Sequence, residues 1–306
     1  MTERALLIEV APRDGFQPIG PFIPTEQKVG FVRAAHAAGL HRIEIGSFVN
    51  PKAVPQLRDT AEVLRLTANL PGFDPQILVP NAKGVALALE AGSRHLVYVI
   101  SASDAHNRSN VRRDTAQSID EYGEVIRALP PGIKVRLNLA TTFDCPFDGR
   151  MDQAFVLDRL GRMLEHRADV EVGLCDTTGR ADPAHVASLS AACLDRWSGS
   201  NEVGGTRFVF HGHDTYGLGL ANIAAAWRAG VRGFDTAFGG LGGCPFAPGA
   251  TGNTATEDAV WMFDRMGVET GVDLAALVQL AVRAAAIPGA QPGGRVRAAL
   301  SASCAT

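Results

Sequence analysis

Along the chain, short apolar runs rich in β-branched residues alternate with longer stretches whose apolar positions recur every three to four residues. The short runs are ALLIEVA (5–11), HRIEIG (41–46), PQILVP (75–80), HLVYVIS (95–101), KVRLNLATT (134–142), VEVGLC (170–175), RFVFHGH (207–213) and GFDTAF (233–238). Between them lie helical patterns such as TEQKVGFVRAAHAAG, AKGVALALEAG, MDQAFVLDRLGRMLEH, PAHVASLSAACLDRW and LGLANIAAAWRAG, several of which end in Gly, as helix C-caps do. Eight strand–helix repeats predict an α/β fold with a parallel sheet, closed into a (β/α)8 TIM barrel. An open doubly wound sheet is the alternative, but no G-x-G-x-x-G follows the first strand. The barrel is expected over about 5–267 of a single domain, 1–306. A C-terminal helix, LAALVQLAVRAAA, should pack on it, with the last residues loose.

If the barrel closes, the C-terminal strand ends form one rim, where the active site of such a fold is built. Read in order, those ends are polar. Strand 1 runs into Arg13, Asp14 and Gly15. Strand 2 carries Glu44 and Ser47, and strand 3 leads to Asn81 and Lys83. Strands 4 and 5 supply Ser101, Ser103, Thr141 and Thr142. Strand 6 ends at Asp176, Thr177 and Thr178, and strand 7 at His211, His213 and Asp214. Strand 8 enters a glycine-rich loop, 239–253, that holds Cys244. Because a strand alternates its side chains, His211 and His213 point the same way. Two imidazoles and a carboxylate at one rim suit a divalent cation with mixed nitrogen and oxygen ligands. Asp14 is the natural carboxylate, since strands 1, 8 and 7 adjoin in a closed barrel. Oxygen-rich partners favour Mg2+ or Mn2+.

Each of these residues also has a plain structural use. Asp14 could cap a helix, Arg13 could pair with Glu44 in the rim, and Asp176 could sit in an ordinary turn. Cys145 and Cys175 read as small buried hydrophobes. The joint placement at one rim is what favours chemistry.

Composition narrows the setting. The 306 residues are 46% hydrophobic, ample for a large core, and the formal net charge is -3. No Lys/Arg run points to nucleic acid or an anionic membrane, and no stretch approaches the roughly 18 apolar residues of a span. The N-terminus enters a strand at once, leaving no room for a targeting segment. Five widely spaced cysteines, without a C-x-x-C pair, suggest free thiols in the cytoplasm.

Seven segments, APRDGFQ (11–17), IEIGSFVNPKAVPQL (43–57), VPNAKG (79–84), CPFDG (145–149), CDTTG (175–179), HGHDTYGLGLAN (211–222) and GGLGGCPFAPGATGNTATED (239–258), together resemble the 3-hydroxy-3-methylglutaryl-CoA lyase family. That family belongs to a TIM-barrel metallolyase superfamily sharing R-D-G at strand 1 and H-x-H at strand 7. The resemblance covers about 5–285. It implies a divalent-metal site made of Asp14, His211, His213 and Asn253. Arg13 would polarise a thioester carbonyl and stabilise the enolate, with Glu44 and Asp176 orienting the arginine and substrate. Asp14 or His211 would serve as base and Cys244 as the thiol of the loop. Gln17, Ser47, Asn81, Lys83, Ser103 and Thr142 are candidates for substrate contact. The implied reaction is cleavage of 3-hydroxy-3-methylglutaryl-CoA to acetyl-CoA and acetoacetate, as in leucine degradation, by a cytoplasmic homodimer. The alternatives are the same cleavage of a related thioester such as citramalyl-CoA, a condensing 2-oxo acid synthase, and a barrel that has lost catalysis. The chain departs from the family pattern at Pro18 and Ile19, at the stretch Asp104 to Asn107, at Asp144 and at Gly212. Those positions lie in rim loops, so the resemblance implies the reaction type more firmly than the substrate.

Overall fold

The computed structural model describes residues 3–197, 208–243 and 252–303. Eight parallel strands close on themselves. They are β1 (Leu6–Glu9), β2 (Arg42–Ser47), β3 (Asp74–Val79), β4 (His95–Ser101), β5 (Lys134–Ala140), β6 (Glu171–Asp176), β7 (Phe208–Gly212) and β8 (Gly233–Thr236). Each pairs with its sequence neighbours, and β1 completes the ring against β8, Leu6 opposite Gly233 and Glu9 opposite Thr236. The expected TIM barrel is the fold found. Helices α1 (Thr25–Ala37), α2 (Thr60–Thr67), α3 (Ala82–Glu90), α4 (Asp104–Val111), α5 (Thr115–Ala128), α6 (Gln153–Leu164), α7 (Pro183–Trp197), α8 (Gly219–Arg228) and α9 (Thr256–Arg265) fill the connections.

Both faces of each strand are buried, one by helices and one by the barrel interior, which is why the strands read as near-continuous apolar runs. The outer layer is aromatic where α1 meets the end of β8. Phe16, Phe31 and Phe238 pack with ring centroids 5.5 to 6.0 Å apart. The interior is partly polar. Glu44, Gln76, His95, Arg136, Asn138 and Asp235 are all buried.

Several strands stop earlier than the apolar runs suggest, for local reasons. β5 ends at Ala140 because Thr141 turns to φ 53° and the Thr142 hydroxyl donates back to the Leu139 carbonyl. β1 ends at Glu9 because the Val10 carbonyl accepts from the amides of Arg13, Asp14 and Gly15, forming one wide π-type turn over Ala11–Gly15.

The tail is a correction. The C-terminal helix α10 (Leu274–Ala285) packs on the barrel as expected, but the Pro/Gly-rich segment after it leads into a further helix, α11 (Val296–Ser303), while the last residues, 304–306, lie outside the described residues. The buried Asp258 carboxylate accepts from the amides of Arg295 and Val296, capping this helix from α9.

Closure is secured by a fully buried carboxylate. Glu9 accepts from the amides of Ala11 (2.8 Å) and Phe238 (3.1 Å) and from the Thr256 hydroxyl (2.8 Å), so one side chain ties β1, the end of β8 and α9 together. Burial pushes the Glu9 carboxyl up to about 8, the three hydrogen bonds only partly offsetting it. A raised folded-state value means that the protonated group favours folding below its unfolded value of 4.5, and that this contribution is lost as pH rises towards 8. Glu9→Gln should therefore flatten the fall in chemical-denaturation midpoint over that window, which a single such group steepens by at most about 1.4 kcal/mol per pH unit.

Candidate active site

The π-type turn after β1 lifts Arg13 and Asp14 onto the C-terminal rim. The Arg13 guanidinium is almost wholly buried. Its Nε donates to Glu44, one strand over, and its Nη1 donates to Asp14 Oδ1 at 2.6 Å. Burial opposes charge on Arg13, but Asp14 and Glu44 hold it protonated. For Asp14, burial would raise the carboxyl, yet Arg13 and the two histidines keep it well below the usual carboxylate range. Burial pushes the Glu44 carboxyl up in spite of Arg13.

Two imidazoles face that carboxylate from β7 and the residue after it. His211 Nε2 and His213 Nε2 lie 3.9 and 3.8 Å from Asp14 Oδ2, and the two rings are 5.1 Å apart. Between them Gly212 turns to the other face, where a Cβ would stand 2.5 Å from the Phe210 ring. A larger residue there would collide with Phe210, so glycine is what allows the pair to sit on a packed strand end. Burial pushes the His213 imidazole down, which keeps it neutral with a lone pair to offer. His211 is held from behind. Its Nδ1 is 3.1 Å from Asp235 Oδ2, and Asp235 is gripped at both oxygens by Arg136, at 2.8 and 2.6 Å.

Asn253 arrives from beyond β8. An isolated bridge pairs it with His213, the Asp214 amide donates to the Gly252 carbonyl, and the Thr254 amide donates to Gly212. Asn253 Nδ2 donates to Asp14 Oδ2 (2.8 Å) and to the Leu241 carbonyl (3.0 Å). Its Oδ1, like His213 Nδ1, is buried with no hydrogen-bond partner among the described residues. Ligand atoms of Asp14, His211 and His213 all lie within 4.8 Å of one another. A carboxylate, two imidazoles and an amide oxygen with no donor among the described residues form the mixed donor set that a divalent cation takes, so these residues fit one.

The other residues singled out from the sequence take varied places. Asp176 ends β6 beside His211, and both its oxygens accept from the Ala181 amide at 3.2 and 3.3 Å. Burial pushes its carboxyl up to about 7. Ser47 is buried with its hydroxyl unpartnered, and Gln17 is exposed. Asn81 caps α3 through the Gly84 amide, and Lys83 is exposed on that helix. Ser103 caps α4, donates to Asp148 at 2.5 Å and accepts from the Cys145 thiol. Thr142 is committed to the backbone of Leu139 and Cys175. Cys244 lies outside the described residues. The unusual loop after β4 is well bonded, with Ser101 Oγ and His106 Nδ1 2.7 Å apart and Asn107 joining the Ser101 amide to Arg113, Asp114 and Ser118. Sequence reasoning missed Glu9, Arg136 and Asp235. Each is a charge inside an otherwise apolar strand, the signal that did single out Glu44.

Comparison with known proteins bears on the fold and the reaction class. A family model described as HMGL-like matches residues 4–283. The (R)-citramalyl-CoA lyase of Chloroflexus aurantiacus is 40% identical over 290 residues, covering 90% of this chain and 88% of its own. The 3-hydroxy-3-isohexenylglutaryl-CoA/hydroxymethylglutaryl-CoA lyase of Pseudomonas aeruginosa is 37% identical over 303 residues, 99% of each chain. The solved structure of an HMG-CoA lyase from Acinetobacter baumannii, in complex with coenzyme A and 3-methylmalate, superposes with a TM-score of 0.89 at 38% identity, covering 97% of this chain and 95% of that one. Fold, site and these likenesses define a barrel carbon–carbon lyase of the CoA-ester class. The chain belongs to the HMGL-like family.

The loop that delivers Asn253 depends on a close glycine contact. Gly242 has φ +137°, and a Cβ on it would stand 2.7 Å from Asn253 Nδ2. Gly242→Ala should displace Asn253 from Asp14 and cost about 1–3 kcal/mol of stability. A crystal structure of the variant and its denaturation midpoint check both.

Proposed function

We propose that this lyase cleaves 3-hydroxy-3-methylglutaryl-CoA to acetyl-CoA and acetoacetate with a divalent cation, Mg2+ or Mn2+, held by Asp14, His211, His213 and Asn253. One observation carries the reading. Asp14 meets two buried imidazoles and an amide whose oxygen has no partner among the described residues, and the same carboxylate is bonded to Arg13. Such a cation, when bound, supplies Lewis acidity that lowers the pKa of a tertiary hydroxyl and holds a substrate carboxylate.

The chain's own groups supply the rest. Asp14 takes the hydroxyl proton, because His211 has its Nδ1 turned to Asp235 and its Nε2 committed to the cation. The C2–C3 bond then breaks, its electron pair passing to the thioester as an enolate while the hydroxyl carbon becomes the ketone. Arg13 is the group that faces the enolate oxygen. Because Glu44 and Asp14 fix its fork, little reorganisation accompanies the growth of charge, the condition under which one donor contributes on the order of 3 kcal/mol. The family resemblance assigns the proton delivered to the enolate carbon to Cys244. The reading includes a cytoplasmic homodimer. No helix among the described residues is long and apolar enough to cross a membrane.

A panel of thioesters tests the substrate. Hydroxymethylglutaryl-CoA should yield acetoacetate and acetyl-CoA, chelation should abolish turnover, and added Mg2+ or Mn2+ should restore it. The 40% identity to a citramalyl-CoA lyase makes citramalyl-CoA the substrate to set beside it. Cleavage of that thioester with hydroxymethylglutaryl-CoA inert would transfer the activity to the second acyl chain. Arg13→Met should lower kcat by about two orders of magnitude with little change in substrate affinity, as measured by steady-state kinetics and equilibrium binding. A loss confined to affinity would remove Arg13 from the enolate.

A further inference from the structure

The barrel interior holds an ion pair that the reaction does not touch. Arg136 on β5 reaches Asp235 on β8, and since these strands are not neighbours the bond crosses the barrel. Both side chains are shut off from solvent, at 0% and 1% exposure. The grip is bidentate, an arrangement that the arginine fork allows and lysine does not. Room for it is made on β6. A Cβ at Gly173 would stand 2.1 Å from Asn138 Oδ1 and 3.0 Å from Arg136 Nη2. Arg136 Nε is also 4.0 Å from Glu171, so the guanidinium is flanked by acids on two sides.

A buried ion pair is a costly way to fill a core that leucines could fill, and apolar replacement of such pairs is often neutral or stabilising. Its third member shows what it does. The Asp235 oxygen that Arg136 holds at 2.6 Å is the one 3.1 Å from His211 Nδ1. An ionised carboxylate can only accept, so the neutral His211 ring carries its hydrogen on Nδ1 and turns a bare Nε2 towards Asp14.

We propose that Arg136 is a positioning residue for the cation site: it fixes Asp235, which sets the tautomer and plane of His211 so that Nε2 is the ligating nitrogen. Carboxylate–imidazole–metal arrangements of this kind raise ligand basicity, and losing the outer partner typically weakens metal binding 10- to 100-fold. The inference rests on the metal reading above.

Two measurements test it. In the metal-free protein, nitrogen NMR of His211 as the neutral imidazole should show the Nδ1–H tautomer. An Nε2–H ring would overturn the proposal. Mn2+ affinity, followed by electron paramagnetic resonance, should fall about 10- to 100-fold in Asp235→Asn and in the paired variant Arg136→Met with Asp235→Leu. The paired variant leaves no lone buried charge, and circular dichroism of the metal-free form verifies that it folds. If it folds and binds Mn2+ as the parent does, the ion pair is only structural and the proposal fails. If the parent itself does not bind Mn2+, the metal reading fails instead, while the tautomer still reports on Arg136 and Asp235.

Discussion

Asp14 is the point on which this structure turns. A single partly buried carboxylate is bonded to a guanidinium and an amide and faced by two imidazoles, in a setting where an uncompensated charge would be prohibitive. The surroundings follow from keeping it ionised. Arg13 must remain charged, so Glu44 is placed behind it. His211 must keep a lone pair forward, so Asp235 takes its rear nitrogen. Asp235 must stay anionic in the core, so Arg136 crosses the barrel to it. Burial would raise Asp235, but Arg136 and His211 bring its carboxyl down to about 2.

The parallel barrel suits such a chain of charges because its interior is rigid and dry on every side. Glu44, Arg136, His211 and Asp235 stand on strands, and Arg13 and Asp14 on the hydrogen-bonded turn after β1, so the donors are arranged by folding and need not be arranged by substrate. The glycines contribute by absence. Gly212 allows two imidazoles over Phe210, Gly173 leaves space for Arg136, and Gly242 lets Asn253 approach Asp14. The rim loops are a separate layer. The segment after β4, one of the places where the chain departs from the family pattern, is held by Ser101, His106 and Asn107. Relatives acting on citramalyl-CoA and on isohexenylglutaryl-CoA stand at similar distances from this chain, as expected if the relay carries the chemistry and the loops choose the acyl group.

Much of the fold was legible along the chain because two-sided burial makes parallel strands continuous apolar runs, and all eight were marked within a residue or two. Their ends were less so. Thr141, Thr142 and Val10 close the strands through side-chain and turn hydrogen bonds that no periodicity records. The C-terminal helix α11 went unmarked because its anchor, Asp258, sits 37 residues away. Helices α2 and α4 are only eight residues long, and α5 is opened by the Asp114 capping box.

The rim residues could be read from sequence because position at a strand end is a local property. Arg13, Asp14, His211 and His213 each follow an apolar run, and alternation alone puts both histidines on one side. Asn253 came from family resemblance, since an asparagine forty residues past His213 has no local reason to meet it. Arg136 and Asp235 escaped altogether, being 99 residues apart and visible only as two charges in apolar strands. By itself, then, the sequence determined eight strands, their order and the chemical types at their ends, because hydrophobic period and strand polarity are short-range. Only the tertiary structure decided which charges face one another across the interior, because that pairing depends on how strands far apart in the chain come together when the barrel closes.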